Sequence, residues 1–376
     1  MKRHPILFTA LLSFAVSISC FAFTSQLLYV QHGQNLITYS VNPVTAAATK
    51  LGSLTLESAP ARAVQVLHAP ASPYVYVIGF TSATDEFIWV YATTSKGVPI
   101  PGSVQKLQVK PALTQFIFQA NGKFAYALYS WSDPNPTFFG DIVLFTVNPK
   151  TGILTNTRKP VVNFPPDDLG YRTIYGLNDK GTKLYILYSY FPPEEGVGRT
   201  YYYSTINPST GLLGKPIPFW GDDAEADAGE ISDFSDSLIA QAFSDDFGGP
   251  VGIDIYTNKV YSSKPTPLIA CTSKMLPVCA DSATVKFGPS GKNLFITDNT
   301  INSVEIAAVK VKSLAATDSI PGIPSTLAFS PNGKIVYAQE GNQVLIYIFD
   351  PATGLLGAKS SITVPSKFAY IIPASQ

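Results

Sequence analysis

Two short turn motifs alternate through this chain, and their alternation leaves few folds open to it. One is Asn121-Gly122-Lys123, with copies at Asp179-Lys180-Gly181-Thr182, Pro289-Ser290-Gly291-Lys292 and Pro331-Asn332-Gly333-Lys334. The other is Asn148-Pro149-Lys150-Thr151-Gly152, with copies at Asn207–Gly211 and Asp350–Gly354 and a decayed one at Asn42-Pro43-Val44-Thr45. Proline presets φ in the first half of such turns, and glycine takes the φ > 0 position that a side chain resists. A short apolar or aromatic strand follows each copy of the first motif: FAYALYS, LYILYSY, LFITD and IVYAQ.

The clearest unit runs from Ser325 to Gly357, with strands at Leu327–Ser330, Ile335–Gln339 and Val344–Phe349 and a fourth after Gly354. Four antiparallel strands cannot bury both faces alone, so the unit requires neighbours of its own kind. The spacing predicts complete units starting near residues 61, 112, 171, 229, 283 and 324. The unit near 229 is degenerate; its strands are expected at Glu230–Phe234, Leu238–Phe243, Val251–Tyr256 and from Val260 onward. Residues 26–57 hold a second, third and fourth strand without a first, and residues 367–373 hold a first strand alone. The two fragments are complementary. The prediction is an all-β, seven-bladed β-propeller of four-stranded antiparallel blades, closed where the C-terminal strand joins the N-terminal blade. Closure removes the open sheet edges that each fragment would otherwise present.

Lysine and arginine total 26 against 26 aspartate and glutamate, so the chain is neutral overall. That balance speaks against a nucleic-acid partner, which calls for a basic face. Residues 1–22 combine a basic start, the apolar run ILFTALLSFAVSI and a small-residue end at Ala22. This is the pattern of a cleaved secretory signal, which leaves residues 23–376 as one propeller domain, secreted or periplasmic, monomeric and without a membrane span. An uncleaved anchor and lipidation at Cys20 are the rival readings of the same segment. After cleavage only Cys271 and Cys279 remain. They are spaced to pair in an oxidising compartment, with two free thiols as the alternative.

Units of the form FSPNGKIVYAQ…VLIYIFDPATGLLG resemble the seven-bladed propellers of the lactonase family, related to 6-phosphogluconolactonase and carboxymuconate cyclase and overlapping the YVTN-repeat proteins. The resemblance spans about residues 26–376 and rests on structural turns, so it implies the fold and carries no catalytic residue across. The Trp-Asp and Gly-His signatures of WD-repeat propellers are absent from the strand ends.

In such a blade the first-to-second and third-to-fourth turns share one face, and here these are the tight motif turns. The other connections share the opposite face, where rigid scaffolds usually carry their binding residues. Over blades three to five those connections hold Trp131, Asp133, Asp167, Asp168, Arg199, Trp220, Asp222 and Asp223, with Arg172 flanking them. Aromatics stack on ring faces while carboxylates accept from hydroxyls or pair with cations, a pattern suited to a small molecule, glycan or protein ligand. The alternative is that the aromatics cap blade ends; for Tyr201–Tyr203 that is the favoured reading. Asp223, Glu225 and Asp227 alternate as calcium ligands do, although Gly229 comes one place late and Phe234 stands where a bidentate glutamate belongs. A solvated acidic loop explains the same residues, and no other cofactor is suggested. His32 and His68 fit turn or strand-end positions. The expectation is therefore a binding or scaffold propeller, with a lactone hydrolase as the alternative.

Overall fold

The structure is a computed structural model. It describes residues 26–32, 34–56, 62–68, 72–80, 85–109, 113–119, 121–129, 142–160, 170–178, 181–190, 198–222, 231–234, 238–243, 252–257, 268–271, 275–276, 282–298, 302–311, 313–365 and 370–375. The described elements are β-strands, grouped in seven four-stranded antiparallel sheets. Among the described residues no helix is long and apolar enough to cross a membrane.

Blade one holds β1 (Gln26–His32), β2 (Asn35–Val41) and β3 (Ala48–Thr55). Blade two holds β4 (Arg62–His68), β5 (Tyr74–Phe80), β6 (Glu86–Ala92) and β7 (Gln105–Val109). Blade three is β8 (Leu113–Phe118), β9 (Phe124–Tyr129), β10 (Ile142–Val147) and β11 (Leu154–Pro160). Blade four is β12 (Gly170–Leu177), β13 (Lys183–Tyr190), β14 (Gly198–Thr205) and β15 (Ile217–Asp222). Blade five is β16 (Ile231–Phe234), β17 (Leu238–Phe243), β18 (Gly252–Thr257) and β19 (Ile269–Cys271). Blade six follows as β20 (Ser282–Phe287), β21 (Asn293–Asp298), β22 (Ser303–Val309) and β23 (Leu314–Pro321). Blade seven is β24 (Thr326–Phe329), β25 (Ile335–Glu340), β26 (Gln343–Asp350) and β27 (Leu355–Thr363). The last strand, β28 (Tyr370–Ser375), is the inner strand of blade one.

Closure thus occurs as the complementary fragments predict. β28 pairs antiparallel with β1, Val30 opposite Ile371 and Tyr29 opposite Ile372. Ile371 is buried with Leu28, Val30, Ile335 and Tyr337, so the C-terminal strand is locked into the core between blades one and seven. Inner strands also meet around the axis: β28 touches β4 and β24, β8 touches β12, and β16 touches β20.

Second strands read as unbroken apolar runs because neighbouring blades cover both of their faces. Between blades two and three, for example, Tyr76, Ile78 and Val90 pack with Phe116, Phe118 and Phe145, and the Phe116 and Phe145 rings lie edge-on at 5.5 Å. Each fully buried side chain of this size contributes about 1.5–3 kcal/mol.

The tight turns do more than reverse the chain. The Asn148 carboxamide accepts the Lys150 and Thr151 N–H groups, and Gly152 sits at φ 70°. The next contact is lateral: the Tyr76 hydroxyl of blade two donates to the Gly152 carbonyl of blade three at 3.0 Å. Tyr29 makes the same bond to Gly97 at 2.7 Å, and Tyr126 to Gly211 at 2.8 Å. Burial pushes all three phenols well above the usual range, so they remain neutral donors.

The fourth strand of the blade-five sheet is β19, with Ile253 opposite Cys271 and Ile255 opposite Ile269. Ile269 and Cys271 are the residues that alternate into the core shared with blade six. Val260-Tyr261, which carries the β-branched and aromatic signal of a strand, falls within residues 258–267, outside the described residues.

Candidate functional site

At the end of the ring opposite the tight turns, connection length is unequal. Residues 33–34 and 341–342 suffice in blades one and seven, whereas 130–141, 191–197 and 244–251 join the corresponding strands of blades three to five. Trp131, Asp133, Asp167, Asp168, Asp223, Glu225 and Asp227 fall in connecting segments outside the described residues. Among the described residues no group of three His, Cys, Asp or Glu side chains is placed to hold a metal ion.

The remaining candidates stand together on blade four, and they stand on strands. Arg172 lies on inner strand β12 opposite Tyr188, Arg199 lies on β14 opposite Ser189, and Asp222 on β15 is the register partner of Arg199. Trp220 is the partner of Tyr201. Arg199, Trp220 and Asp222 are therefore strand residues, a correction to their placement in loops. The reason is that β15 is the outermost strand, where Pro218 deprives the ladder of nothing, and a bulge between the Tyr201 and Tyr202 positions takes up Phe219. Tyr201 is 2% exposed, in keeping with a packing role. Tyr203 is covered by the Lys183 ammonium, 4.2 Å from its ring centroid.

Three groups at this end carry no motif. Glu86 opens β6 and is the one fully buried charged side chain among the described residues. Its carboxylate accepts the Leu113 N–H at 2.9 Å, fastening the start of the next blade's inner strand. Burial, and then the Glu86 charge, push the Tyr129 phenol up. On blade five, half-burial raises the Asp254 carboxyl above its ordinary range, while the Tyr256 hydroxyl, donating at 2.9 Å, opposes the rise. The only sequence signal for either acid is a carboxylate inside an otherwise apolar run, EFIWVYA or GIDIY. The two described histidines lie at opposite ends of the ring. His32 ends β1 at this end of the ring, and His68 ends β4 at the tight-turn end.

Cys271, predicted in the connection between blades five and six, is the last residue of β19; it is buried and disulfide-bonded. Cys279 lies outside the described residues.

The ring of four-stranded blades defines the protein as a β-propeller. Solved structures agree. A Bacteroides uniformis protein named as a proposed 6-phosphogluconolactonase is similar with a TM-score of 0.57 and 16% identity, over 92% of this chain and 99% of that one. A Lactobacillus plantarum protein gives a TM-score of 0.57 at 13% identity over 93% and 98% of the two chains. A second proposed 6-phosphogluconolactonase, from Bacteroides fragilis, gives 0.53 at 15% identity over 93% and 98%. At these identities the likeness is one of fold. No protein-family model matches the chain, and no curated protein matches it significantly.

Proposed function

We propose that this protein is a secreted or periplasmic binding propeller of lactonase-like architecture, whose ligand site is the loop-bearing end over blades three to five. The observation that carries the reading is the register of blade four. A cation and a carboxylate, Arg199 and Asp222, occupy partnered ladder positions at the end where long connections leave, with Arg172 on the inner strand of the same blade. Hydroxyl-rich small molecules and glycans suit such a site: Trp131 and Trp220 offer stacking surfaces, and Asp133, Asp167, Asp168, Asp222 and Asp223 offer acceptors.

The test replaces Trp131 and Trp220 with Ala, and Asp222 and Asp223 with Asn, and screens glycans, peptides and lactones against native and altered protein. A ligand bound about tenfold or more weakly by the altered protein supports the site. A ligand bound equally by both places the site elsewhere. The same screen addresses the second reading, lactone hydrolysis, which draws on the likeness to proteins named as proposed 6-phosphogluconolactonases. Arg172 and Arg199 would then polarise a lactone carbonyl, and turnover lost on their replacement by Gln identifies the enzyme. Calcium at Asp223, Glu225 and Asp227 is tested by calorimetry on chelator-treated protein; no heat at millimolar calcium removes it.

A further inference from the structure

The tight-turn end has a surface chemistry that its turns do not require. All the exposed large aliphatic side chains among the described residues stand in third-to-fourth-strand connections or at the strand ends beside them. Every blade supplies at least one: Val44, Ile100 and Ile153 in blades one to three, Leu212 and Leu268 in four and five, Val311 and Leu355 in six and seven. Val311 is 80% exposed and Val44 is 52% exposed. Scattered exposed aliphatics are ordinary, but a ring of them confined to one end is not. Nor does turn geometry select them. Ile153, Leu212 and Leu355 contribute to their turns only backbone groups: each N–H donates to the threonine hydroxyl two residues earlier, and the Ile153 and Leu212 carbonyls accept the Asn148 and Asn207 N–H groups, which any residue but proline supplies.

Charge follows the same plan. Lys96, Lys150 and Lys310 stand exposed in the outer turns, and Lys123, Lys292 and Lys334 in the inner turns of the same end. Among the described residues these turns carry one carboxylate, Asp350, which accepts from the Ala352 N–H and the Thr353 hydroxyl. At the other end stand Asp85, Asp222, Asp298 and Glu340 together with Arg62, Arg172 and Arg199. Among the described residues, the six turn lysines against one carboxylate leave the tight-turn end basic, whereas the loop-bearing end mixes both signs.

We infer that the tight-turn end is a docking face for a bilayer carrying anionic lipid. Rigid turns around the ring would present aliphatic side chains to the interfacial layer together, and the lysines between them would lie at headgroup level. This orientation turns the loop-bearing end, with its acidic groups, away from the lipid and toward solution. The inference is independent of the ligand reading above, since it concerns the opposite face.

Vesicle co-sedimentation tests it, using phosphatidylglycerol-containing and pure phosphatidylcholine vesicles with the full chain. Binding is expected to the first only. It should fall more than about tenfold as salt rises from about 0.1 to about 1 M, because the screening length drops from about 10 Å to about 3 Å. The triple change Lys123→Glu, Lys150→Glu, Lys334→Glu should abolish binding, and the single changes should each weaken it without altering thermal unfolding. Ile153→Ser with Val311→Ser should weaken binding at both salt concentrations, whereas Asp298→Asn with Glu340→Gln should not. Three results would overturn the inference: no sedimentation with anionic vesicles, sedimentation indifferent to the lysine changes, or lysine-dependent self-association in place of vesicle binding.

Discussion

The seams between blades are not all closed by the same device, and the contrast between two groups of them is instructive. From blade one to blade four, a tyrosine in the preceding blade's second strand reaches across to the glycine carbonyl of the next blade's turn. From blade six back to blade one, the hydroxyl that reaches the next blade's turn comes from the outer strand instead. In the first of these seams the Asn293 carboxamide of β21 also donates to the Pro351 carbonyl. The Thr317 hydroxyl donates to the Gly354 carbonyl at 3.0 Å, and the Ser360 hydroxyl to the Ala46 carbonyl at 2.6 Å. In the closing seam the equivalent tyrosine, Tyr337, is buried with no hydrogen-bond partner for its hydroxyl. Repetition of a motif therefore does not guarantee repetition of its bond. In blade six the equivalent position is Phe295, which has no hydroxyl to donate, and at the closing seam the Ala46 carbonyl takes its bond from Ser360.

The closing seam has the most to lose. Deleting residues 367–376 removes β28, uncovers one edge of β1 and exposes Leu28, Val30 and Tyr337 around the vacated Ile371. At about 1.5–3 kcal/mol per buried side chain, several kcal/mol should go, and the protein should aggregate or melt far lower. Unchanged calorimetric unfolding would contradict the described closure.

Gly211→Ala attacks a tyrosine-latched seam. Gly211 sits at φ 72°, and a Cβ there would lie 2.6 Å from the Phe124 ring and 3.0 Å from Leu144. The left-handed backbone costs about 1–2 kcal/mol and the overpacking about 1–3. Gly341→Ala is the control, since Gly341 has φ 57° and open space around it, so only the backbone cost of about 1–2 kcal/mol applies. Equal denaturant midpoints for the two variants would show that the crowding is not felt.

Blade five has Ala240 at the tyrosine position, and its seam with blade six is covered by Cys271 and Leu276, both buried in the shared core. Met275 sulfur accepts the Leu314 N–H at 3.4 Å. We propose that Cys271 is bonded to Cys279. Alkylation and mass measurement without reductant should show that one bridge, and reduction should cost about 2–3 kcal/mol of stability. Two alkylated thiols without reductant would refute the pairing.

Two conservative changes sharpen the comparison of latches. Tyr126→Phe strands the Gly211 carbonyl and should cost about 1 kcal/mol in urea unfolding. Tyr337→Phe removes an unpaired buried hydroxyl and should be neutral, or stabilising by up to about 1 kcal/mol. If both cost the same, the two seams do not differ.

The smallest effect concerns pH. The Ala352 N–H, followed by the Thr353 hydroxyl, holds the Asp350 carboxyl below its ordinary range. A depressed folded value means the stabilisation is present above the unfolded pKa of about 4 and is lost as pH falls through the folded value. Asn42, Asn148 and Asn207 do the same work without a charge. Asp350→Asn should therefore flatten the acid limb of the melting profile slightly while leaving its neutral plateau in place.

Turn chemistry, period and ring closure were legible in the sequence because each is written within a few residues. Asn-Pro-x-Thr-Gly folds on itself wherever it occurs, and a first strand missing at one terminus and present at the other admits one solution. The placement of Arg199, Trp220 and Asp222 was not legible, because a proline- and glycine-flanked stretch becomes strand only when an outer-edge position and a bulge accommodate it. Position 269–271 for the last strand of blade five was likewise set by which residues fill the core beside blade six. The seam bonds link residues 68, 85 and 314 apart in sequence, and the closed ring alone brings them within reach. Local hydrogen bonding made the blades, and lateral packing around the ring decided which side chains join them and which remain at its two ends.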